Sequence, residues 1–162
     1  MKLKVVGVLA YDSITSEFGT KRNIFGGSAT YFAISSSYLS NNVRITGAIG
    51  KDFNRDDLDI LSSRGINIDG VETLDLNTFK WEGKYEINAP NEAITLSNSI
   101  IKGEPNVLES YKPILYSKNE NKSESYSLFL ANADPEHQLD LINQMDKRAK
   151  LIGLDTMDFW IN

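Results

Sequence analysis

Three carboxylates and one amide stand directly after apolar runs of this sequence: Asp12, Asp52, Asn132 and Asp155. If those runs are parallel strands, their carboxyl ends share one edge of a sheet, and ligands of open α/β sheets bind in the crevice outside that edge. The four side chains are therefore predicted to face a common ligand-binding crevice. The alternative for Asp52 is a helix cap, and the alternative for Asp155 is a simple Asp-Thr turn.

A pair of glycines, Gly26 and Gly27, opens the stretch GGSATYFAISSSYLS, whose small and aromatic residues are compatible with a helix. The first N–H groups of a helix are free and can hold an anion, so the pair is a candidate ligand loop. The sequence around it matches neither GxxxxGK[ST] nor GxGxxG, the glycine patterns of nucleotide phosphate loops. A plain tight turn is the alternative, but a position between a strand and a helix favours a ligand role.

The elements that must position these residues are strands and helices in alternation. Buried strands are predicted from nearly continuous Val-, Ile- and Leu-rich runs at 3–10, 43–49, 127–131 and 151–154. Helical patterns are present at 28–39, 54–64 and 135–148. Asp134 is the predicted N-cap of the last helix, and Leu139, Ile142 and Met145 form its predicted apolar stripe. This alternation predicts an α/β layered fold with a mostly parallel sheet.

Two further segments, 14–23 and 78–88, alternate polar and apolar residues and are predicted to be half-exposed strands. A hairpin turn is expected around Gly83, within WEGKYE. The two segments would form a small accessory sheet, or alternatively a plain surface hairpin. Residues 89–126 carry little signal, and 117–125 are interpreted as a solvated, flexible loop.

Composition limits the classes of function. The chain has 162 residues, a net charge of −5, no cysteine and one histidine, His137. The acidic balance argues against a nucleic-acid partner. Disulfides, thiolate metal sites and a two-histidine metal site are excluded within one chain. The start, MKLKVVGVLAYD, is interpreted as a strand rather than a signal peptide, and no run is long enough to span a membrane. A cytoplasmic protein whose residues 1–162 form one domain is expected.

The order of these motifs resembles the N-terminal half of the PfkB/ribokinase family of carbohydrate and nucleoside kinases. The stretches that carry the resemblance are GGSATYFAIS, VRITGAIGKDFNRDDLDILSSRGINIDGVE, TFKWEGKYE, FLANADPEHQLDLI and LIGLDTMDFWI. Positions of the family's first signature are matched by Gly26, Gly27, Ala29, Ala33 and either Gly47 or Gly50. Tyr31 stands where the family usually has Asn, a departure that would fit a distinct subgroup.

The resemblance implies a ribokinase-like three-layer α/β sandwich with a small β lid formed near 14–23 and 78–88. Asp12 matches the position that holds substrate hydroxyls, and Gly26 and Gly27 match the loop that approaches the substrate. Tyr31 and, from its place at the sheet edge, Asp155 complete the predicted substrate-binding set. Phe18, Trp81 and Tyr85 lie on the lid segments, where the two latter rings could stack on a sugar or a base or pack beneath the lid.

The implied reaction is ATP-dependent phosphoryl transfer to a hydroxyl of a small sugar or nucleoside, with ATP and Mg²⁺ as cofactors of the complete family enzyme. The family's second signature, GAGD, is absent, since Asp155-Thr156 is followed by Met157-Asp158. The chain is therefore expected to be a truncated N-terminal portion without catalytic or metal-binding residues, to bind neither cofactor tightly and to be inactive alone.

Two alternative functions belong to classes other than a sugar or nucleoside kinase. One is a non-catalytic ligand-binding or assembly module, which could form a homodimer through the lid or through an exposed sheet edge. The other, a Rossmann-type cofactor domain, is disfavoured because GxGxxG does not follow the first strand.

Overall fold

A five-stranded parallel sheet forms the centre of the molecule. The computed structural model describes residues 2–115, 123–157 and 161. The strands of this main sheet are β1 (Lys2–Val6), β4 (Val43–Gly50), β5 (Asn67–Leu74), β8 (Tyr126–Leu130) and β9 (Ala149–Leu154). Their spatial order is β5-β4-β1-β8-β9, and every neighbouring pair is parallel.

A second sheet of four strands extends from the main sheet. It consists of β2 (Ala10–Ser16), β3 (Gly19–Gly26), β6 (Phe79–Glu86) and β7 (Ala89–Asn98), in the order β3-β2-β6-β7. The central pair β2–β6 is parallel, while β2–β3 and β6–β7 are antiparallel hairpins. The two segments predicted as accessory strands, 14–23 and 78–88, both lie in this sheet.

Helices cover both faces of the main sheet, so the predicted α/β sandwich is confirmed. Val5 packs with residues of α1 (Ser28–Ser37) and α2 (Asp59–Ser62) in one core cluster. The next residue, Val6, points to the opposite face and packs with Leu141 of α4 (Pro135–Asn143) in a second cluster. A 3₁₀ helix (Arg55–Leu58) precedes α2, and a short α3 (Val107–Ser110) follows the second sheet.

The structure corrects the predicted limits of several elements. The apolar run 3–10 is not one strand, because β1 ends at Val6 and the chain enters the second sheet at Ala10. Segment 14–23 contains the turn between β2 and β3 and is therefore parts of two strands. β7 was not predicted, since most of its side chains are exposed and give no burial pattern. Part of the predicted flexible loop 117–125 lies outside the described residues.

Gly83 is inside β6 and not at a hairpin turn, which instead falls at Ile87–Asn88. The ring of Trp81 lies against the α-carbon of Gly83, where a Cβ would overlap the indole. The glycine therefore provides space for a ring rather than a turn conformation.

The last helix, α4, begins as predicted but buries a different face. The Asp134 carboxylate accepts the Glu136 N–H at 2.8 Å, which confirms the N-cap. The buried residues are Gln138 and Leu141, whereas Leu139 is exposed. Gln138 is drawn inward because its amide donates to the main-chain carbonyls of Ala131 and Asp155, at 3.0 and 2.9 Å. No helix within the described ranges combines the length and apolar character that crossing a membrane requires.

Candidate functional site

Asp12 lies within β2, not at the end of β1 as the sequence predicted, because the apolar run is divided between two sheets. Its carboxylate lies beside the Gly27 N–H and the Tyr31 hydroxyl. Burial raises the pKa of Asp12 above the usual value, although the neighbouring Gly27 and Tyr31 groups act in the opposite direction. The side chain is thus a partly desolvated acceptor with free lone pairs near the carboxyl end of β1.

The two glycines bring the backbone of the β3–α1 connection close to Asp12. Gly27 precedes α1 with φ of 92°, and a Cβ there would approach the Ala10 nitrogen to 2.9 Å and overlap the Val8 carbonyl. A Cβ on Gly26 would overlap the Asp12 carboxylate. Both positions therefore require glycine for close approach, and Gly27 also requires it for its backbone conformation.

Tyr31 lies in the first turn of α1, and about half of its side chain is exposed. Burial of the rest raises the pKa of the phenol, and the neighbouring Asp12 and Tyr85 act in the same direction. A neutral tyrosine hydroxyl can donate to the carboxylate and still accept a hydrogen bond from a ligand. Asp12 and Tyr31 together therefore present acceptors that suit a hydroxylated molecule.

Trp81 and Tyr85 share the face of the second sheet that carries Asp12. Trp81 is paired with Asp12 across β2 and β6, and Tyr85 follows four residues later on the same side. The indole N–H of Trp81 donates to the Thr95 hydroxyl at 3.0 Å, which fixes the ring along the sheet. We name this surface, defined by Asp12, Trp81 and Tyr85, the front face.

Phe18 and Asp155 are not brought to this cluster. Phe18 is at the β2–β3 turn and is 91% exposed. Four further residues of β2 follow Asp12 before the turn, about 13 Å at the usual rise. Asp155 follows β9 at the far edge of the main sheet, where its N–H bonds the Leu130 carbonyl at 2.9 Å.

Asp52 does not cap a helix, although that was one interpretation of the sequence. Its Oδ1 accepts the Thr78 N–H at 2.6 Å and its Oδ2 is 2.9 Å from the Lys80 ammonium. The cap of the 3₁₀ helix is instead the Asn54 side chain, which accepts the Asp56 N–H at 3.3 Å. Burial opposes ionisation of Asp52, but the hydrogen bonds from Thr78 and Lys80 outweigh it and lower its pKa.

Asn132 lies at the predicted edge, after β8 and beside the start of α1. Its main-chain carbonyl accepts the Ser28 hydroxyl at 3.1 Å. Its side-chain Oδ1 is shielded from solvent and has no hydrogen-bond partner among the described residues. An unpaired buried acceptor is costly, so this oxygen would gain a hydrogen bond only if the side chain turned toward a donor.

A small apolar pocket of about 40 Å³ lies apart from this cluster, on the face of the main sheet that α4 covers. Val6, Tyr111 and Leu141 are among its lining residues. Its volume accommodates only a few water molecules, so a sugar does not fit. The candidate site is therefore the front face, which is defined by a carboxylate and two aromatic rings and not by an enclosed cavity.

No protein-family model matches the sequence, and no curated protein matches it. The structure, in contrast, is similar to solved kinases. A Burkholderia thailandensis nucleoside kinase in complex with inosine superposes with a TM-score of 0.73 at 16% identity. The alignment covers 94% of this chain and 51% of that one.

Two sugar kinases give comparable matches. A Cryptococcus neoformans ribokinase in complex with ADP has a TM-score of 0.67 at 14% identity, over 97% of this chain and 50% of its own. A Halothermothrix orenii fructokinase has a TM-score of 0.67 at 16% identity, over 96% and 57%. The chain thus spans about half the length of these structures. The ribokinase-like fold that the sequence motifs predicted is confirmed.

Proposed function

We propose that this chain binds the phosphate acceptor in a kinase that transfers the γ-phosphoryl group of ATP to a hydroxyl of a small sugar or nucleoside. The observation that carries the proposal is the Asp12 carboxylate, which is partly buried and held by Gly27 and Tyr31. The fold similarity to sugar and nucleoside kinases supports the same class of ligand.

The proposed acceptor lies between the front face and the start of α1. Ligand hydroxyls donate to Asp12, and Gly26 and Gly27 allow the β3–α1 connection to pass close to that carboxylate and to the chain at Val8. Trp81 and Tyr85 offer aromatic surface to the apolar face of a sugar or to a base. The second sheet then acts as a lid that limits access of water to the ligand.

ATP would supply the transferred phosphoryl group and Mg²⁺ would neutralise its charge. Within residues 2–115, 123–157 and 161, no three His, Cys, Asp or Glu side chains are arranged as metal ligands. These residues do not form a magnesium site, so we derive no step through ATP or the metal. Our proposal for this chain is acceptor binding without phosphoryl transfer.

Calorimetric titration with D-ribose, D-fructose, adenosine and inosine tests the proposal. We expect at least one of these compounds to bind, and we expect Asp12→Asn to weaken that binding about tenfold or more, because a hydrogen bond to a charged group is lost. Asp140→Asn on α4, an exposed position remote from the front face, is the matched control. Absence of binding by all four compounds would overturn the proposal, as would equal weakening in both variants.

A second measurement tests the expected lack of turnover. Incubation of the chain with ATP, Mg²⁺ and the same four compounds should release no ADP above the background of a heat-denatured sample. ADP release that depends on both the acceptor and Asp12 would show that the chain contains a complete active site.

A further inference from the structure

The segment 52–57 after β4, which includes the start of the 3₁₀ helix, contacts the second sheet on the surface opposite to the front face. We name it the clamp loop. Its contacts converge on one cross-strand pair, Tyr11 of β2 and Lys80 of β6. The next pair along the same two strands is Asp12 with Trp81. Because successive strand residues point to opposite faces, the clamp loop and the candidate ligand act on adjacent pairs from opposite sides.

Tyr11 forms the first half of this contact. Its hydroxyl donates to Asp57 Oδ2 at 2.7 Å and accepts the Asn54 N–H at 3.0 Å. Its ring stacks on Phe53 with centroids 5.0 Å apart. The Tyr11 side chain is buried, so these hydrogen bonds are shielded from competing water.

Lys80 forms the second half through Asp52, which also accepts the Thr78 N–H. Thr78 is fully buried and its hydroxyl accepts the Gly50 N–H at 2.9 Å. Asp52 therefore joins this loop to Thr78, just before β6, and to Lys80 within β6, while the Thr78 hydroxyl holds the last residue of β4. Lys51, between β4 and the clamp loop, pairs with Asp75 at 2.8 Å and does not contact the second sheet through that ion pair.

We propose that the clamp loop is a positioning element: Asp57 and Asp52 hold the Tyr11–Lys80 pair and thereby fix the place of Asp12 and Trp81 on the front face. The carboxylate and ring contacts join the loop to both central strands of the second sheet. The importance of this positioning for acceptor binding rests on the function proposed above, but the positioning itself is testable without any ligand.

Hydrogen exchange by NMR on the full 162-residue chain tests the inference. In the variant Tyr11→Phe/Lys80→Met, we expect amides of β2 and β6 to exchange about tenfold faster, as expected when hydrogen bonds to charged groups are lost. Amides of β1 and β8 should keep their wild-type rates. The Trp81 indole N–H resonance should shift, because the indole lies on the front face and its chemical shift is sensitive to a displacement of that surface.

The matched control is Tyr38→Phe/Lys51→Met, which removes the same atoms from contacts outside the clamp. The Tyr38 hydroxyl accepts from Arg64 at 2.7 Å, and Lys51 pairs with Asp75. This variant should leave exchange in β2 and β6 and the Trp81 resonance unchanged. If the double clamp variant does not fold, Lys80→Met alone should give a smaller increase, about threefold, confined to the same strands.

The outcomes separate positioning from general stability. Faster exchange in both sheets by the same factor would overturn the inference, because the loop would then only stabilise the whole molecule. Unchanged exchange in β2 and β6 would overturn it as well. A result confined to these strands would stand even if none of the four compounds named above binds, so failure of the two proposals is distinguishable.

Discussion

Asp12 and Asp52 both follow apolar runs in the sequence, but their electrostatic environments in the structure shift the pKa in opposite directions. Asp12 is desolvated beside Gly26 and Tyr31, and burial raises its pKa. Asp52 is held by the Thr78 N–H and the Lys80 ammonium, and its pKa is lowered despite burial. The first carboxylate is available to a ligand, while the second is already used by the protein.

This difference predicts opposite pH dependence of stability. A carboxyl whose folded-state pKa is raised contributes stability below its unfolded pKa and loses it as pH rises through the folded pKa. The Asp12→Asn variant should therefore gain stability relative to wild type as pH rises from the unfolded pKa, about 3.9, through the raised folded pKa. A carboxyl with a lowered pKa contributes stability above its unfolded pKa and loses it as pH falls through the folded pKa, so Asp52→Asn should lose stability relative to wild type as pH rises toward about 3.9 and show a constant difference above it.

Urea unfolding at several pH values measures both differences. Asp140→Asn, at an exposed site, serves as the reference and should show a weaker dependence than either variant. Slopes of the same sign for Asp12→Asn and Asp52→Asn would contradict the assignment of their environments.

At the scale of elements, the connection between β3 and α1 depends on backbone conformation. Gly27 has a positive φ, and its α-carbon contacts the main chain at Val8 and Ala10, between β1 and β2. The Ala29 N–H, in the first turn of α1, donates to the Val8 carbonyl at 3.3 Å. One glycine thus allows α1, β2 and β3 to meet beside Asp12.

We expect Gly27→Ala to lower the free energy of unfolding by about 2 kcal/mol or more, since backbone strain and displacement of the Val8 carbonyl add. Gly103→Ala is the control, because Gly103 also has a positive φ, of 64°, but no atom lies within 4 Å of the position that a Cβ would take there. That variant should lose only about 1 kcal/mol. If urea unfolding gave equal losses of unfolding free energy for the two variants, the close approach at Gly27 would contribute nothing to the cost of the substitution.

At the scale of the whole molecule, the edge of the main sheet at β9 is incompletely covered. Leu151 and Ile152 point to opposite faces, yet they are 65% and 47% exposed, and Leu154 is 52% exposed. The sequence predicted a strand buried on both faces here, and that prediction is wrong for the described residues. The apolar surface and the end-strand position are the features that favour the alternative of an assembly module.

We therefore expect the chain to self-associate as its concentration rises. Leu151→Lys/Leu154→Lys should reduce this association, because charged side chains on an edge strand oppose pairing. Ile60→Lys, at an exposed position of α2, is the control and should have no effect. Sedimentation velocity measures the association, and a wild-type chain that remains monomeric over the accessible concentration range would contradict the expectation.

Local patterns in the sequence determined the type of many elements. Continuous apolar runs predicted the parallel strands at 43–49 and 127–131, and Asp134 followed by Pro135 predicted the start of α4. These features depend on side-chain type and on contacts within a few residues. The motif order also predicted a fold that the solved kinases share.

Only the tertiary structure decided where the chain changes from one sheet to the other and which side chains meet. The run 3–10 is apolar apart from Lys4 because both β1 and the start of β2 are buried, so composition could not reveal the break after Val6. Tyr31 and Asp12 are distant in sequence, and so are Tyr11 and Asp57; their contacts depend on sheet register and helix placement. Local sequence specifies the elements, whereas the site depends on long-range packing between them.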